Sequence, residues 1–455
     1  MKTLTLSQIA GWVDGALIQG VPSREVASLT TDSRAVSPGS LFVALKGERH
    51  DAHAFLADVV AAGAAAILVH QLPVETETYE GGIIRVKDTL KALQSLAFHH
   101  RRASPDLFVV GVTGSNGKTS TKDFLSAVLA AGGQVNSTVG NLNNHIGLPL
   151  TILSGRAGDR FAVWEMGMNH PGEIEILAEI AGPDAAVITN IGTAHIEHMG
   201  TRGAIALEKS SLPAAVPASG YCVMPAADDY FEFVRDNVSC EMIPVGIGAG
   251  VVRAESLVAD RDGRMRFDLC SDFGDASEVV LPVRGDHMVM NALLAAAVGL
   301  RQGISPAAVA TALSGVQLTR GRLEERTVRG IVFIDDSYNA NPDSMLAALR
   351  TLASAEARGR RVAVLGFMGE LGPHEEAEHH RLGERVAAHG IDALVTVTSR
   401  AARINEGAAD LAVNLNFENH AAAAEFLRDY LAEGDLVLVK GSRSAGMEQV
   451  IAALI

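Results

Sequence analysis

Cysteine is scarce in this chain. Cys222, Cys240 and Cys270 are the only three among 455 residues, and none forms a CxxC pair, so neither a disulfide framework nor a cysteine zinc site is indicated. Aromatic residues make up only 5 % of the sequence, and positive charge is short as well: 38 Lys and Arg stand against 53 Asp and Glu, a formal net charge of −15. With no basic stripe to offset that balance, nucleic acid is not expected as the main partner. No uncharged run reaches the roughly 18 residues that suggest a membrane span. The segment Met1-Lys-Thr-Leu-Thr-Leu-Ser-Gln-Ile-Ala10 lacks the apolar core of a signal peptide. Internal repeats and low-complexity tracts are also missing. A cytoplasmic location is the expectation.

What is abundant is small and apolar. Hydrophobic residues reach 48 % and glycines number 45, a composition suited to an α/β protein that packs helices closely on sheets. At about 100–200 residues per domain the length predicts two to four domains. Breaks fall at Arg101-Arg-Ala-Ser-Pro-Asp106 and between Leu313 and Gly321. Between them strands at 161–164 and 184–189 alternate with a helix at 172–181. Beyond the second break strands at 331–334, 362–365, 393–396 and 436–439 follow the same rhythm, with a helix at 344–355. Such alternation predicts parallel, doubly wound sheets.

The strand-like run 107–110 leads into Gly111-Val-Thr-Gly-Ser-Asn-Gly-Lys-Thr-Ser120, and Lys118 to Ala131 then carries apolar residues at helical spacing. A glycine-rich loop between strand and helix aims backbone N–H groups and a helix N-terminus at an anion; Lys118 adds a point charge and Thr119 a hydroxyl for Mg²⁺. The pattern is T-G-x-x-G-K-T, because Val112 occupies the place of the first glycine in the longer phosphate-loop form. Glu165 follows the strand at 161–164 and His195 lies just beyond the next strand, both at carboxyl ends where parallel sheets bind ligands. A carboxylate there suits Mg²⁺, a hard cation. The plainer alternatives are a solvated turn glutamate and a hydrogen-bonded structural histidine.

Taken together, Gly111–Ser120, Trp164-Glu-Met-Gly-Met-Asn-His-Pro-Gly172 and Thr189-Asn-Ile-Gly-Thr-Ala-His-Ile-Glu197 resemble the central domain of the Mur ligases, ATP-dependent enzymes that add amino acids to the peptidoglycan precursor. Thr31-Asp-Ser-Arg34, Pro38–Phe42 and Leu45-Lys-Gly47 resemble the family's UDP-sugar domain. Asp335–Ser344 and Lys440–Glu448 resemble its C-terminal domain. The resemblance implies an α/β chain of three domains: 1–104, mixed α/β and binding the UDP-muramoyl group; 105–318, a parallel ATPase-type sheet; and 319–455, a Rossmann-like domain taking the incoming dipeptide. Gly140–Pro149 and Tyr338-Asn-Ala-Asn-Pro342 are most similar to the branch that joins D-alanyl-D-alanine to a UDP-N-acetylmuramoyl-tripeptide, and the Asp-Asn-Pro-Arg motif of the diaminopimelate-adding branch is absent. A glutamate-adding folate ligase is the nearest alternative, disfavoured by Thr31–Arg34. A binding module that has lost catalysis is another, disfavoured by the full residue set.

The resemblance also assigns residues. Gly114, Ser115, Asn116, Gly117, Lys118, Thr119 and Ser120 would cradle the ATP phosphates. Asn291 matches the adenine-side asparagine, although Met288 interrupts the usual His-Asn pair after His287. Arg322, Asp336 and, more weakly, Asn339 would reach the nucleotide from the third domain, completing the site on closure. Thr119 and Glu165 would hold one Mg²⁺ and His195 a second. Lys209 matches the lysine that several relatives carbamylate, a change that makes a metal ligand of it; an exposed helical lysine is the alternative. Ser33 and Arg34 would face the UDP-muramoyl group, Asn143 and Asn144 would lie nearer the substrate in the central domain, and Ser442 and Arg443 would face the dipeptide. A monomer is expected. Phe367 replaces the family's frequent aspartate and reads as tolerated variation. His374-Glu-Glu-Ala-Glu-His-His380 reads as a solvated helix start, and Gly246–Gly250 as a turn between strands.

Overall fold

The computed structural model describes residues 3–47, 50–72, 79–261 and 263–455. Three sheets carry the chain. The first has five strands, with Ala16–Gln19 antiparallel to Gly82–Arg85 and then Ala66–Val69, Ser40–Val43 and Ser28–Thr30 in parallel. The second has nine strands. Its parallel part runs Gln134–Ser137, Asp159–Glu165, Phe108–Thr113, Ala185–Ile188, Tyr221–Pro225, Glu241–Ile247 and Val252–Ala259, and the antiparallel strands Met265–Ser271 and Gly274–Val280 close its far edge. In the third, Glu324–Val328 is antiparallel to Ile331–Asp336, and Leu436–Lys440, Arg361–Leu365, Ala393–Val397 and Val413–Phe417 continue in parallel.

Within the central sheet the loop-bearing strand Phe108–Thr113 lies between Asp159–Glu165 and Ala185–Ile188. Connections diverge to either side of it, which opens a crevice at the carboxyl ends of these strands. Val109, Val110 and Val112 are fully buried in the sheet, as a parallel strand covered on both faces requires. Several strands run slightly longer than their sequence patterns suggest, Glu165 being the last residue of its strand and Asp336 the last of another, whereas the one expected at 184–189 is shorter, Ala185–Ile188. The helix at 344–355 begins earlier, at Pro342, because Asn341 caps it by accepting from Ser344 N at 3.0 Å.

The off-register Gly111 belongs to packing rather than to the phosphate loop. A Cβ there would lie 2.6 Å from Leu212 Cδ1 and 3.2 Å from Met166 Cε. Its bare backbone lets the helix Arg202–Ala214 settle on the sheet, and that helix carries Lys209. In the loop itself Gly114 has φ +148° and would drive a Cβ into Thr189, while Gly117 has φ +79° and abuts Asn291. Only glycine fits both demands.

Candidate active site

A cleft of about 1120 Å³ opens where the carboxyl edges of the second and third sheets meet. Its walls include the whole loop from Ser115 to Ser120, with Asn143, Asn144, Glu165, His195, Asn291, Arg322, Asp336, Asn339, Ser442 and Arg443. Most residues singled out in the sequence therefore converge on one space. Ser33 and Arg34 do not line it: they sit in a short 3₁₀ turn of the first sheet's domain, with Arg34 87 % exposed and paired to Asp32 at 2.8 Å. The carboxylate of Asp32 is held down at about 2 by that neighbour.

The loop ends as a helix N-terminus at Lys118. Lys118 Nζ donates to Gly114 O at 2.6 Å, within its own loop. The ammonium is half-buried at the cleft floor, and loss of solvent pulls it down to about 8, with Arg322 pushing the same way and Glu165 and Glu370 opposing. Thr119 Oγ1 and Asn143 Nδ2 each donate to Glu165 Oε2 at 3.4 Å. The other oxygen, Oε1, is buried and has no hydrogen-bond partner among the described residues. Such an acceptor, next to a hydroxyl and below an anion cradle, suits a hard cation. The donor set Thr119–Glu165 thus fits Mg²⁺.

His195 takes a left-handed backbone, φ +63°, at the end of its strand loop. Its Nδ1 lies 2.6 Å from Glu370 Oε2, and this neighbour is the main reason the Glu370 carboxyl sits below its usual range. Glu370 was not identified in the sequence. It too is left-handed, φ +60°, and comes from the third sheet's domain. The histidine run at 374–380 proves only partly solvated. His379 is fully buried: its Nε2 accepts from Met368 N at 2.8 Å and its Nδ1 meets Glu375 O at 2.7 Å. It thereby pins the turn that presents Glu370. Phe367 is buried beneath Arg400, whose guanidinium carbon lies 3.9 Å from the ring centre.

Lys209 is 1 % exposed, which overturns the reading of an exposed helical lysine. Among the described residues its ammonium has no ion-pair partner. Glu208 faces elsewhere, accepting from Gly172 N at 2.7 Å and Ile174 N at 2.8 Å. Burial first, and Lys118 second, push its pKa well below that of an ordinary lysine. As a bare amine it does not suit Mg²⁺; as a carbamate it would.

The third sheet's domain reaches into the cleft by several hands. Arg322 donates to Thr119 Oγ1 at 3.2 Å, and its guanidinium carbon is 4.1 Å from the Tyr338 ring centre. Asn341 donates to the Asn116 side chain at 2.7 Å, and Asp343 accepts from Thr193 N and Oγ1, both at 2.9 Å. Asp336 is paired with Lys440 at 2.5 Å, and Asn339 Oδ1 accepts from Arg443 N at 3.3 Å. Asn116, Asn341, Asp343 and Thr193 link the two domains, a role the sequence reading gave to none of them. Elsewhere, Asp51, His53 and His70 bring metal-type ligand atoms within 4.8 Å of one another. There His53 Nε2 accepts from His70 N at 3.2 Å and its Nδ1 meets Asp51 at 2.6 Å, so the proton sits on Nδ1 and the group is a hydrogen-bonded chain.

Family models match the chain in three successive stretches: "Mur ligase family, catalytic domain" over 25–101, "Mur ligase middle domain" over 112–299 and "Mur ligase, glutamate ligase domain" over 321–443. The UDP-N-acetylmuramoyl-tripeptide--D-alanyl-D-alanine ligase of Bacillus subtilis is 37 % identical over 99 % of this chain and 98 % of its own. The ligase of the same name from Escherichia coli is 36 % identical over 100 % and 99 %. A crystal structure of MurF from Acinetobacter baumannii superposes with a TM-score of 0.92 at 35 % identity, covering 100 % of this chain and 99 % of that one. MurF from Thermotoga maritima in complex with ADP gives 0.84 at 28 % identity, covering 94 % and 97 %. With its phosphate loop, its cross-domain cleft and this full-length likeness, the chain belongs to the Mur ligase family.

Proposed function

We propose that this protein is the ATP-dependent ligase that joins D-alanyl-D-alanine to UDP-N-acetylmuramoyl-tripeptide, a step of peptidoglycan precursor synthesis carried out in the cytoplasm by a monomer. The single observation that carries the reading is the cleft, where an anion cradle, an unsatisfied carboxylate and an arginine from a second domain face one another. In the proposed reaction the terminal carboxylate of the tripeptide attacks the γ-phosphorus of ATP. ADP leaves, and an acyl phosphate forms. The dipeptide amine then adds to the acyl carbon, and the tetrahedral intermediate expels phosphate as the amide forms and the nitrogen gives up its proton.

Bringing two anions together is the difficulty, so the residues mainly supply positive charge and order. Gly114 to Ser120 hold the phosphates through backbone N–H groups, and Lys118 turns from Gly114 O to the β- and γ-phosphates. Arg322 adds charge on the γ-phosphate side, while Asn291, Asp336 and Asn339 orient the nucleoside. Thr119 and Glu165 would hold Mg²⁺; His195 and a carbamylated Lys209 would hold a second ion. Mg²⁺ neutralises phosphate charge when bound. Asn143 and Asn144 lie at the peptide end, Ser442 and Arg443 at the dipeptide end, and Ser33 and Arg34 on the separate domain that takes the UDP-muramoyl group. Closure of the cleft excludes water from the acyl phosphate.

The test is phosphate release from ATP with UDP-muramoyl-tripeptide, with and without D-Ala-D-Ala, for the diaminopimelate and lysine tripeptides in turn. Dipeptide-dependent release is expected with one of them. Release that ignores the dipeptide sinks the assignment.

A further inference from the structure

The helix behind the phosphate loop, Lys118–Ala130, has a second role. Thr119 and Asp123 are four residues apart and share a face. Thr119 Oγ1 accepts from Arg322, and Asp123 Oδ2 accepts from Thr319 N at 2.7 Å. Thr319 and Arg322 belong to the connection between the helix Pro306–Ser314 and the strand Glu324–Val328, the only covalent route from the central domain to the C-terminal one. One helix face therefore grips this connection at two points, one turn apart. The first grip is on backbone and the second on the arginine side chain.

Asp123 is built for that grip. Its Oδ1 pairs with Lys122 Nζ at 2.7 Å, and the two side chains are only 7 % and 10 % exposed. The adjacent ammonium offsets the carboxylate's burial, which leaves Oδ2 for the backbone N–H of Thr319. Downstream, Gly321 at φ +71° and Leu323 at φ +51° bracket Arg322 in a tight path. A shift at Thr319 therefore passes to Arg322 rather than dissipating in slack chain. Misplacement of a charged group by about 1 Å can cost on the order of a hundredfold in rate.

We propose that Asp123 is a positioning residue for phosphoryl transfer, acting by fixing the backbone from which Arg322 reaches the γ-phosphate end of the cleft. The inference rests on the ligase reading above. Its experiment is a double-mutant cycle on steady-state ligation. Asp123→Ala should lower kcat about 10- to 100-fold with the KM for ATP changed less than about threefold. Asp123→Asn, which keeps an oxygen for Thr319, should recover most of that loss. In an Arg322→Ala background, Asp123→Ala should cost nothing further, because its effect passes through Arg322. Should Asp123→Ala misfold for want of a partner to Lys122, Lys122→Met/Asp123→Ala removes both charges and carries the same expectation. A full additional loss in the Arg322→Ala background, or wild-type kcat in Asp123→Ala, overturns the proposal. Failure of the ligase reading looks different, since wild-type protein would then release no dipeptide-dependent phosphate.

Discussion

Replacing Glu165 with glutamine should move stability and activity in opposite directions. The carboxylate is 1 % exposed, receives two long hydrogen bonds of 3.4 Å on Oε2 and has none on Oε1. A buried charged oxygen without a donor costs about 1–3 kcal/mol. Glutamine preserves length and shape but sheds the charge. Loss of the attraction to Lys118 trims the benefit, leaving an expected gain of about 1 kcal/mol in the nucleotide-free protein. Turnover should fall about 10²–10³-fold, the usual loss when one preorganised electrostatic group is removed. Wild-type protein at a hundred times the dissociation constant of Mg·ATP should gain about 2.7 kcal/mol, most of which the variant should lack. The assay is urea unfolding in EDTA and then in Mg·ATP, followed by tryptophan fluorescence. Only Trp12 and Trp164 are present, so Trp12→Phe leaves a single reporter beside Glu165. A nucleotide-free variant less stable than wild type by more than about 1 kcal/mol would mean that the carboxylate is a satisfied structural group, and the reasoning fails.

Further expectations concern the two lysines and the packing beneath them. Lys118 titrates at about 8 when folded against a reference of 10.5, so the unfolded state holds more protons between those values and stability of the nucleotide-free protein rises with pH across that window. ATP restores the charge, and binding at about pH 8.5 should take up as much as three quarters of a proton; calorimetry in two buffers of different ionisation enthalpy reads this, and zero uptake refutes it. Lys209 is a buried amine with a depressed pKa, the state that adds carbon dioxide to give a carbamate. Wild-type activity should fall in CO₂-stripped buffer and return with bicarbonate, whereas residual activity of Lys209→Gln should ignore both. Gly111→Ala places a methyl 2.6 Å from Leu212 Cδ1; overpacking of about 1–3 kcal/mol is expected in chemical denaturation, with turnover reduced because the helix bearing Lys209 is displaced.

Local chemistry made much of the cleft lining readable in advance. Gly114, Gly117 and Lys118 announce themselves because a strand, a tight turn and a helix follow one another within fifteen residues. Glu165 and His195 could be placed because strand ends point to the crevice of a parallel sheet. Contacts across long separations left no comparable trace. Glu370 and His195 are distant in sequence, as are Asn116 and Asn341, and nothing periodic links them. Glu370 sits in a left-handed turn after Met368, and glutamate carries no marker for positive φ. Lys209 misled for another reason: charge on a helix is ordinarily solvated, and only the packing of that helix over Gly111 shows its amine to be enclosed. His379 was misjudged in the same way: Glu376 and His380 on its helix are exposed while it faces inward.

The closed state is fastened along one seam. Between the domains, the links Asn116–Asn341, Thr193–Asp343, Thr119–Arg322 and Asp123–Thr319 are single hydrogen bonds or short groups of them, each contributing on the order of 1 kcal/mol net. The Arg284–Glu325 pair at 2.5 Å and the burial of Met288 in the third sheet's core add to them. Domain parting is a motion of the microsecond-to-millisecond scale. The cleft walls come from both domains, so departure of the bulky nucleotide-sugar product calls for the halves to part, and throughput is bounded by how often they do.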